Sequence, residues 1–215
     1  MDRMAGRDEP GRWVEPAPGR PVPFWEALGR DVVAHVPPAV RPVSRAGWAW
    51  KGLSVAARSS GFRLTTVYRL SHLARHRAGP VGRVLAALLF WWGRHWYGCA
   101  IASGARLHGG LILPHPQGIV IGSGAVVGPW AWIYQNVTIG GGRGNPGELP
   151  KVGAHARIYT GAVLAGPIVV GDHVLLGANV VVSIDIPSRS MVRSPLPNIK
   201  PLPAPGEAGG ERGGS

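Results

Sequence analysis

IASGAR, LHGGLI, LPHPQG, IVIGSG, AVVGPW, AWIYQN and VTIGGG are the seven hexads into which residues 101–142 of this 215-residue chain divide. Six more, VGAHAR, IYTGAV, LAGPIV, VGDHVL, LGANVV and VSIDIP, follow over residues 152–187, and the nine residues RGNPGELPK at 143–151 separate the two runs. Every hexad begins with Ile, Leu, Val or Ala, and small residues, often Gly, follow that position. Such regularity at a fixed period indicates a repeat protein.

The physics of a six-residue repeat favours a coil with three sides. One hexad is long enough for a short strand and a corner, and Gly supplies corner conformations that a side chain would obstruct. We expect three hexads to close one triangular coil, and stacked coils to bury the first-position side chains as aliphatic columns. A loop-rich β-sandwich is the alternative, but its strands would alternate with a period of two. The hexads therefore predict a mainly β fold, a parallel β-helix.

The chain that precedes the hexads is predicted to be α-helical. Apolar residues between Phe24 and Tyr97 recur at helical spacing, and Pro37 and Pro38 interrupt the pattern. We expect the following organisation: a flexible tail at 1–22, an α-helical N-terminal region at 23–99, a β-helix domain at 100–192 with an inserted loop at 143–151, and a C-terminal extension and flexible tail at 193–215.

The segment VLAALLFWWGRHWYG at 84–98 is apolar almost all round and ends in aromatic and basic residues. It predicts a helix that is buried against its neighbours or against another subunit. An interfacial helix that touches anionic lipid is the second interpretation. No apolar stretch reaches the roughly 18 residues that cross a bilayer. A single cysteine, Cys99, and the lack of a signal sequence favour a cytoplasmic protein, with the inner face of the membrane as an alternative location.

The charge of the chain predicts an anionic partner. The net charge is +12, and the span between Asp31 and Glu148 contains twelve Lys or Arg residues and no acid. A field of this kind attracts phosphates and acidic headgroups. Nucleic acid is not expected as a partner, because the sequence contains no base-reading motif and no zinc-finger spacing. An anionic cofactor or a lipid-linked substrate accounts for the same charge.

Residues 101–192 resemble the hexapeptide-repeat acyltransferases, in particular the serine O-acetyltransferase branch and its polysaccharide acetyltransferase relatives. The resemblance runs through LILPHPQGIVIG (111–122), VTIGGG (137–142), the inserted loop and LGANVVVSIDIP (176–187). The helical GFRLTTVYRLSHLARH (61–76) also resembles what precedes the repeats in that group. The resemblance implies a left-handed coil, a homotrimer that pairs into a dimer of trimers in the serine enzymes, acetyl-CoA as the donor, and active sites between adjacent subunits.

The resemblance also implies roles for individual residues. His115 falls where the family keeps its catalytic His, and neutral imidazole suits a general base that removes a hydroxyl proton. Stacking of the hexads aligns His115 with Ile133, Thr160 and Ala178 in successive coils. Thr160 and Ala178 match small residues that border the pantetheine arm of CoA, and Gly141 matches a Gly beside the thioester.

Backbone groups and basic side chains are further candidates for contacts with acetyl-CoA. The backbone N–H groups near Gly140 and Gly141 are candidates for stabilising an oxyanion. Lys151 and Arg193 are candidate partners for the CoA phosphates, and solvated surface charge is the alternative interpretation of both.

The chain departs from the serine enzymes at several positions. They place an Asp beside the catalytic His, where this chain has Pro114, and another Asp at the position of Ala100. Their inserted loop reads Asp-Arg-His-Pro-Lys, whereas residues 147–151 read Gly-Glu-Leu-Pro-Lys. Glu148 thus replaces the Arg that would bind an amino-acid carboxylate, and Leu149 replaces a second His.

These departures favour a neutral acceptor. A Glu repels a carboxylate, so we expect a hydroxyl of a sugar, a polysaccharide precursor or another small alcohol, with Glu148, Gln135 and Asn136 as acceptor-binding residues. We expect a backbone carbonyl or Glu148 to orient His115. L-Serine O-acetylation is the alternative, and a non-catalytic scaffold that binds membrane or protein through its basic helices is an alternative of another class.

His155 and His173 occupy equivalent positions one coil apart, so we expect their side chains to stack. Zinc needs three protein ligands and an open position in a catalytic site. Only Asp172 offers a third ligand nearby, and His115 lies on a different face. The pair therefore predicts a surface stack, and no metal is expected.

Overall fold

The computed structural model describes residue 13 and residues 21–42, 44–142 and 148–195. The helices are α1 (Phe24–His35), α2 (Arg45–Arg58), α3 (Ser60–Arg77) and α4 (Gly79–Tyr97), with a 3-10 turn at Pro38–Val40. Ser59 caps α3, since its hydroxyl oxygen accepts a hydrogen bond of 3.1 Å from the N–H of Phe62. Helix α4 ends at Gly98, whose φ of 61° is left-handed. The helical interpretation of this region and its interruption at Pro37 and Pro38 are confirmed.

Thirteen short strands follow the helices. They are β1 (Ala100–Ile101), β2 (Arg106–Leu107), β3 (Val120–Ile121), β4 (Val126–Val127), β5 (Trp132–Ile133), β6 (Thr138–Gly140), β7 (Lys151–Val152), β8 (Arg157–Ile158), β9 (Val163–Ala165), β10 (Val169–Val170), β11 (Leu175–Leu176), β12 (Val181–Val182) and β13 (Met191–Val192). They form three parallel sheets, in the orders β1-β3-β6-β9-β12, β10-β7-β4-β2 and β13-β11-β8-β5. The chain visits the three sheets in turn. The fold is thus a left-handed parallel β-helix preceded by four helices, as expected.

Burial of the thirteen first-position side chains is confirmed, but their stacking differs from the predicted frame. Leu113 stacks on Ile133, because Ile112 bridges to Trp132. The hexads place Ala131 there, so the frame of the hexads from 119 to 142 is displaced by two residues. Ile119, Ala125, Ala131 and Val137 fill a second inward-facing position. Residues two apart on a strand point to the same face, so burial alone could not fix the frame.

A buried ion pair joins the helices to the first coil. Asp31 of α1 and Arg69 of α3 lie 3.1 Å apart, and both are almost inaccessible to solvent. The Asp31 carboxylate also accepts hydrogen bonds from the N–H groups of Gly110 and Leu111, at 2.8 Å and 3.0 Å. The charged side chain of Asp31 therefore serves to dock the helices on the first coil. Among the helices of the described residues, none combines the length and the hydropathy that crossing a bilayer requires.

Candidate active site

His115 lies at a corner of the β-helix, between the bridge at Ile112 and strand β3. Between Leu113 and Ile121, this corner is two residues longer than its equivalent in the next coil, from Ile133 to Ile139. The N–H of Gln117 donates to the carbonyl of His115 at 2.9 Å and closes the turn. The longer corner carries the imidazole outward, and its side chain is exposed.

A polar concavity of about 340 Å³ surrounds His115, lined by Ser60, Pro114, His115, Pro116, Gln117 and Gln135. Helix α3 begins at its rim. Gly61 packs on the carbonyl oxygen of Leu113 so closely that a Cβ there would overlap it. Helix α3 therefore packs against and supports the chain at Leu113, two residues before His115. Ser60 is not predictable from the sequence, because only tertiary packing brings it here, whereas Gln117 lies inside the LPHPQG hexad.

The column that begins at His115 contains Gln135 in the next coil, and the predicted neighbour Ile133 is wrong. The bridge pairs Ile112 with Trp132, and the same register pairs His115 with Gln135. The two additional residues of the corner shift this register by two from the one that the hexads predict. Thr160 and Ala178 follow in the later coils as expected, because Ile133 pairs with Ile158 and Ile158 with Leu176. Gln135, Thr160 and Ala178 thus form a continuous line of small and medium-sized side chains that starts beside the imidazole.

Gln135 has unused hydrogen-bonding capacity. Its side-chain oxygen is buried, and within the described part of the chain it has no hydrogen-bond partner. A buried amide oxygen without a partner costs free energy, so a ligand that donates to it gains affinity. Asn136 beside it is exposed and has a left-handed φ of 58°. Asn tolerates that conformation, so Asn136 also serves the turn.

Aromatic rings flank the same corner. The ring centroids of His115 and Tyr134 lie 6.4 Å apart, and Tyr134 stacks on Tyr159 at 4.9 Å. Among the residues that the structure describes, the His115 imidazole makes the ring contact with Tyr134 and no hydrogen bond. The group that orients the ring is therefore not found within the described part of one chain.

Gly140, Gly141 and Glu148 lie at a different corner from His115. Gly140 ends β6, so Gly141 follows the carboxyl ends of the strands in its sheet, whereas His115 precedes their amino ends. Gly141 is exposed, and a Cβ there would meet nothing within 4 Å. Glu148 is exposed, while Leu149 packs beneath Gly122. One chain does not bring these residues to His115.

The two candidate phosphate partners are also separated. Arg193 follows β13 next to the end of the His115 column, where the hydroxyl of Ser194 donates to the carbonyl of Ala178 at 3.1 Å. Lys151 is exposed in β7, which belongs to another sheet. Of the two, only Arg193 lies close to the line of Thr160 and Ala178.

The predicted stack of His155 and His173 is confirmed, with ring centroids 4.7 Å apart and planes inclined by 4°. Burial, and then the neighbouring His173, lower the pKa of His155. The Asp172 carboxylate accepts from the N–H of Ala154 at 2.6 Å and from the N–H of Trp13. No group of three or more potential metal ligands occurs in the residues that the structure covers.

Comparison with known proteins points to one family. The chain is 36% identical to the serine acetyltransferase of Synechococcus elongatus over 146 residues, which cover 67% of this chain and 58% of that protein. It is 36% identical to the serine acetyltransferase of Helicobacter pylori over 132 residues, which cover 60% of this chain and 75% of that protein. No protein-family model matches the chain.

Solved structures agree with the sequence comparison. Serine acetyltransferase from Neisseria gonorrhoeae, crystallised in complex with serine, superimposes with a TM-score of 0.65 at 27% identity, over 80% of this chain and 66% of that one. The soybean apoenzyme gives a TM-score of 0.65 at 28% identity, over 78% of this chain and 65% of that one. The chain thus spans somewhat less than two thirds of several of these relatives. On fold and sequence together, this chain belongs to the serine acetyltransferase family.

Proposed function

We propose that this protein is an acetyl-CoA-dependent O-acetyltransferase in which His115 is the general base. The observation that carries the proposal is the exposed His115 imidazole in a polar concavity, at an extended corner of a β-helix of this family. Neutral imidazole removes a hydroxyl proton near neutral pH, which is the proton transfer that O-acylation needs.

The proposed reaction has one proton cycle. The Nε2 or Nδ1 lone pair of His115 takes the acceptor hydroxyl proton while the hydroxyl oxygen attacks the thioester carbonyl carbon. The tetrahedral intermediate then collapses, the C–S bond breaks, and the imidazolium returns its proton to the leaving thiolate. The products are an O-acetyl ester and CoA. Backbone N–H groups at Gly140 and Gly141 are proposed to stabilise the oxyanion.

The proposed path for acetyl-CoA follows the column beyond His115. Thr160 and Ala178 leave room for the pantetheine arm, and Arg193 at the end of that line is the better placed partner for a phosphate. Lys151 remains a second candidate from a different sheet. No metal takes part in the proposed reaction.

We further propose a homotrimer with active sites between subunits. Gly140, Gly141 and Glu148 lie at one corner of the coil and His115 at another. A neighbouring subunit would bring the first corner to the second, and Glu148 could then orient His115 or contact the acceptor. Pairing of two trimers through the helices is a separate expectation. We place the protein in the cytoplasm, since the buried thiol of Cys99 suits a reducing compartment.

L-Serine is the first acceptor that we propose. The relatives are serine acetyltransferases, and the Neisseria structure holds serine. These comparisons support the serine alternative better than the sugar acceptor that the sequence favoured. The difference arises because two residues of one loop, Glu148 and Leu149, depart from the serine enzymes, whereas most of the chain resembles them.

A neutral acceptor stays a second candidate because of the loop. Leu149 is packed under Gly122 and offers no polar atom, and the exposed Glu148 would repel a carboxylate. A sugar or polyol hydroxyl would avoid that repulsion. Similarity to the relatives thus favours serine, whereas the charge of the loop favours a neutral acceptor, and an activity assay distinguishes the two.

Thiol release from acetyl-CoA, measured with the full chain and a panel of acceptors, tests the proposal. We expect release that depends on L-serine, and a clear preference for neutral sugars over serine would select the second candidate. Release that no hydroxyl acceptor stimulates would refute the proposed activity and favour the non-catalytic scaffold. Glu148→Gln should raise the apparent affinity for serine if its charge repels the carboxylate.

A further inference from the structure

Helix α4 exposes a continuous line of large apolar side chains. The α4 stripe consists of Val81, Val84, Leu85, Leu88, Trp91 and Trp96, all exposed. Leu88 and Trp91 expose 59% and 61% of their surface. From Val81 to Trp91 these side chains recur at intervals of three and four residues along one side of the helix, and Trp96, eight residues after Leu88, lies at the edge of that side. Gly82, Ala86 and Gly93 on the opposite side are buried. The stripe is thus not the face with which α4 packs on the rest of the protein.

Cations border this stripe. Arg83 and Arg94 are exposed and, being about three helical turns apart, lie along the same flank of α4. The imidazole of His95 stacks on Trp91 with ring centroids 5.2 Å apart. From residue 32 to residue 147 the sequence contains no Asp or Glu, so no neighbouring carboxylate from that span neutralises the flank. The surface is apolar at its centre and positive at its edge.

A second copy of the chain is the competing occupant of this surface, because the pairing of two trimers expected above would run through the helical region, but the charges beside the α4 stripe disfavour it. A two-fold contact brings the same patch of both subunits together, so the arginines beside the stripe of one copy would be added to those of the other copy. Like charges juxtaposed in an interface are unfavourable, and no acid from residues 32–147 is available to separate them. A basic amphipathic face favours a partner that is negative and apolar at once.

The chain's own terminal segments are also poor occupants. Residues 196–215 contain few large apolar residues and are rich in Pro and Gly. In the N-terminal segment, Trp13 lies against His108 at a ring distance of 4.7 Å and donates to Asp172, both on the β-helix. These contacts hold Trp13 on the β-helix and not on α4.

We propose that the α4 stripe docks on the surface of an anionic lipid bilayer. The helix lies in the plane of the interface, with Leu and Val side chains at the acyl boundary and Trp91 and Trp96 at headgroup depth. Arg83 and Arg94 contact anionic headgroups. Docking of this kind needs no membrane-spanning helix.

Co-sedimentation of the full chain with vesicles tests the proposal, comparing phosphatidylcholine alone with phosphatidylcholine mixed with phosphatidylglycerol. We expect binding to the anionic vesicles that weakens as salt rises. Leu88→Gln with Trp91→Gln should lower the partition coefficient by about tenfold or more, because two buried apolar side chains are lost. Arg83→Gln with Arg94→Gln should lower it by about tenfold as well. Val181→Gln is the matched control, since Val181 is 73% exposed on the β-helix, and it should bind as the wild type does.

Equal binding to neutral and anionic vesicles, or unchanged binding by both double variants, would overturn the proposal. Sedimentation velocity without lipid decides the competing occupant. If the Leu88 and Trp91 variant splits a larger assembly that the wild type forms, a second copy covers α4 and the proposal is wrong. Circular dichroism verifies folding, and the arginine pair keeps the test decisive if the apolar variant misfolds.

Discussion

Lowering the pH from about 7 to about 5 should destabilise the protein through one buried histidine, His72 of α3. Its Nε2 accepts the N–H of Val22 at 3.2 Å, and its Nδ1–H donates to the carbonyl of Ser103 at 2.9 Å. These two bonds need a neutral ring. Burial is the main cause that lowers the pKa of His72 to about 4, and electrostatic repulsion from His76 and Arg69 contributes less.

The sign follows from proton linkage. The unfolded chain binds a proton at His72 near pH 6.5, whereas the folded chain does so only near pH 4. Stability from this group is fully present above the unfolded pKa and is lost as the pH falls toward the folded pKa. Between about pH 7 and about pH 5 the loss is roughly 2 kcal/mol at most, since one pKa unit is about 1.4 kcal/mol and some solvent reaches the ring.

Thermal unfolding across this pH range measures the effect. A loss of roughly 2 kcal/mol lowers the Tm of a chain of this size by about 5 °C. His72→Gln, whose amide does not titrate, should show a flatter dependence of Tm on pH than the wild type. His95→Gln, at an exposed position, is the control and should follow the wild type. Equal slopes for the wild type and His72→Gln would refute the reasoning.

Three further changes test the fold and the support of the site. Asp31→Ala leaves the Arg69 guanidinium buried without its partner, so chemical denaturation should show a loss of about 3–5 kcal/mol, and a loss below about 1 kcal/mol would contradict the docking role. Leu164→Ala should cost about 2–5 kcal/mol in the same assay, whereas Val181→Ala, at an exposed position, should stay within about 0.5 kcal/mol, and equal costs would contradict the buried column. Gly61→Ala should displace the start of α3 from the carbonyl of Leu113 and lower kcat in steady-state assays, and an unchanged kcat would show that α3 does not support the site.

The sequence predicted the β-helix because one chemical pattern repeats thirteen times. The frame of the hexads is harder to predict, since Ile119 and Ile121 both point inward and either can be taken as the first position of a hexad. Only the backbone pairing of Val120 with Ala100 and with Thr138 distinguishes them. Burial patterns identify the fold in such a case, and hydrogen bonds between coils are needed to identify the register.

The candidate site, like the fold, is only partly predictable from the sequence. The LPHPQG hexad predicts His115. The alignment of Thr160 with Ala178 is also predicted, because the frame of the hexads from 152 onward is correct. The repeat aligns His115 with Ile133 and not with Gln135, because the two additional residues of the corner at His115 do not show in a period of six. Ser60 could not be found, because it comes from a helix that reaches the corner only through tertiary packing.

Steady-state thiol release by His115→Ala, beside the wild type and His155→Ala, tests the central claim most directly. His155 is an exposed histidine on another face and serves as the matched control. We expect kcat/KM of His115→Ala to fall by about 100-fold to 10,000-fold with circular dichroism unchanged, and His155→Ala to keep the wild-type rate. A His115→Ala protein that turns over acetyl-CoA as fast as the wild type would contradict the account.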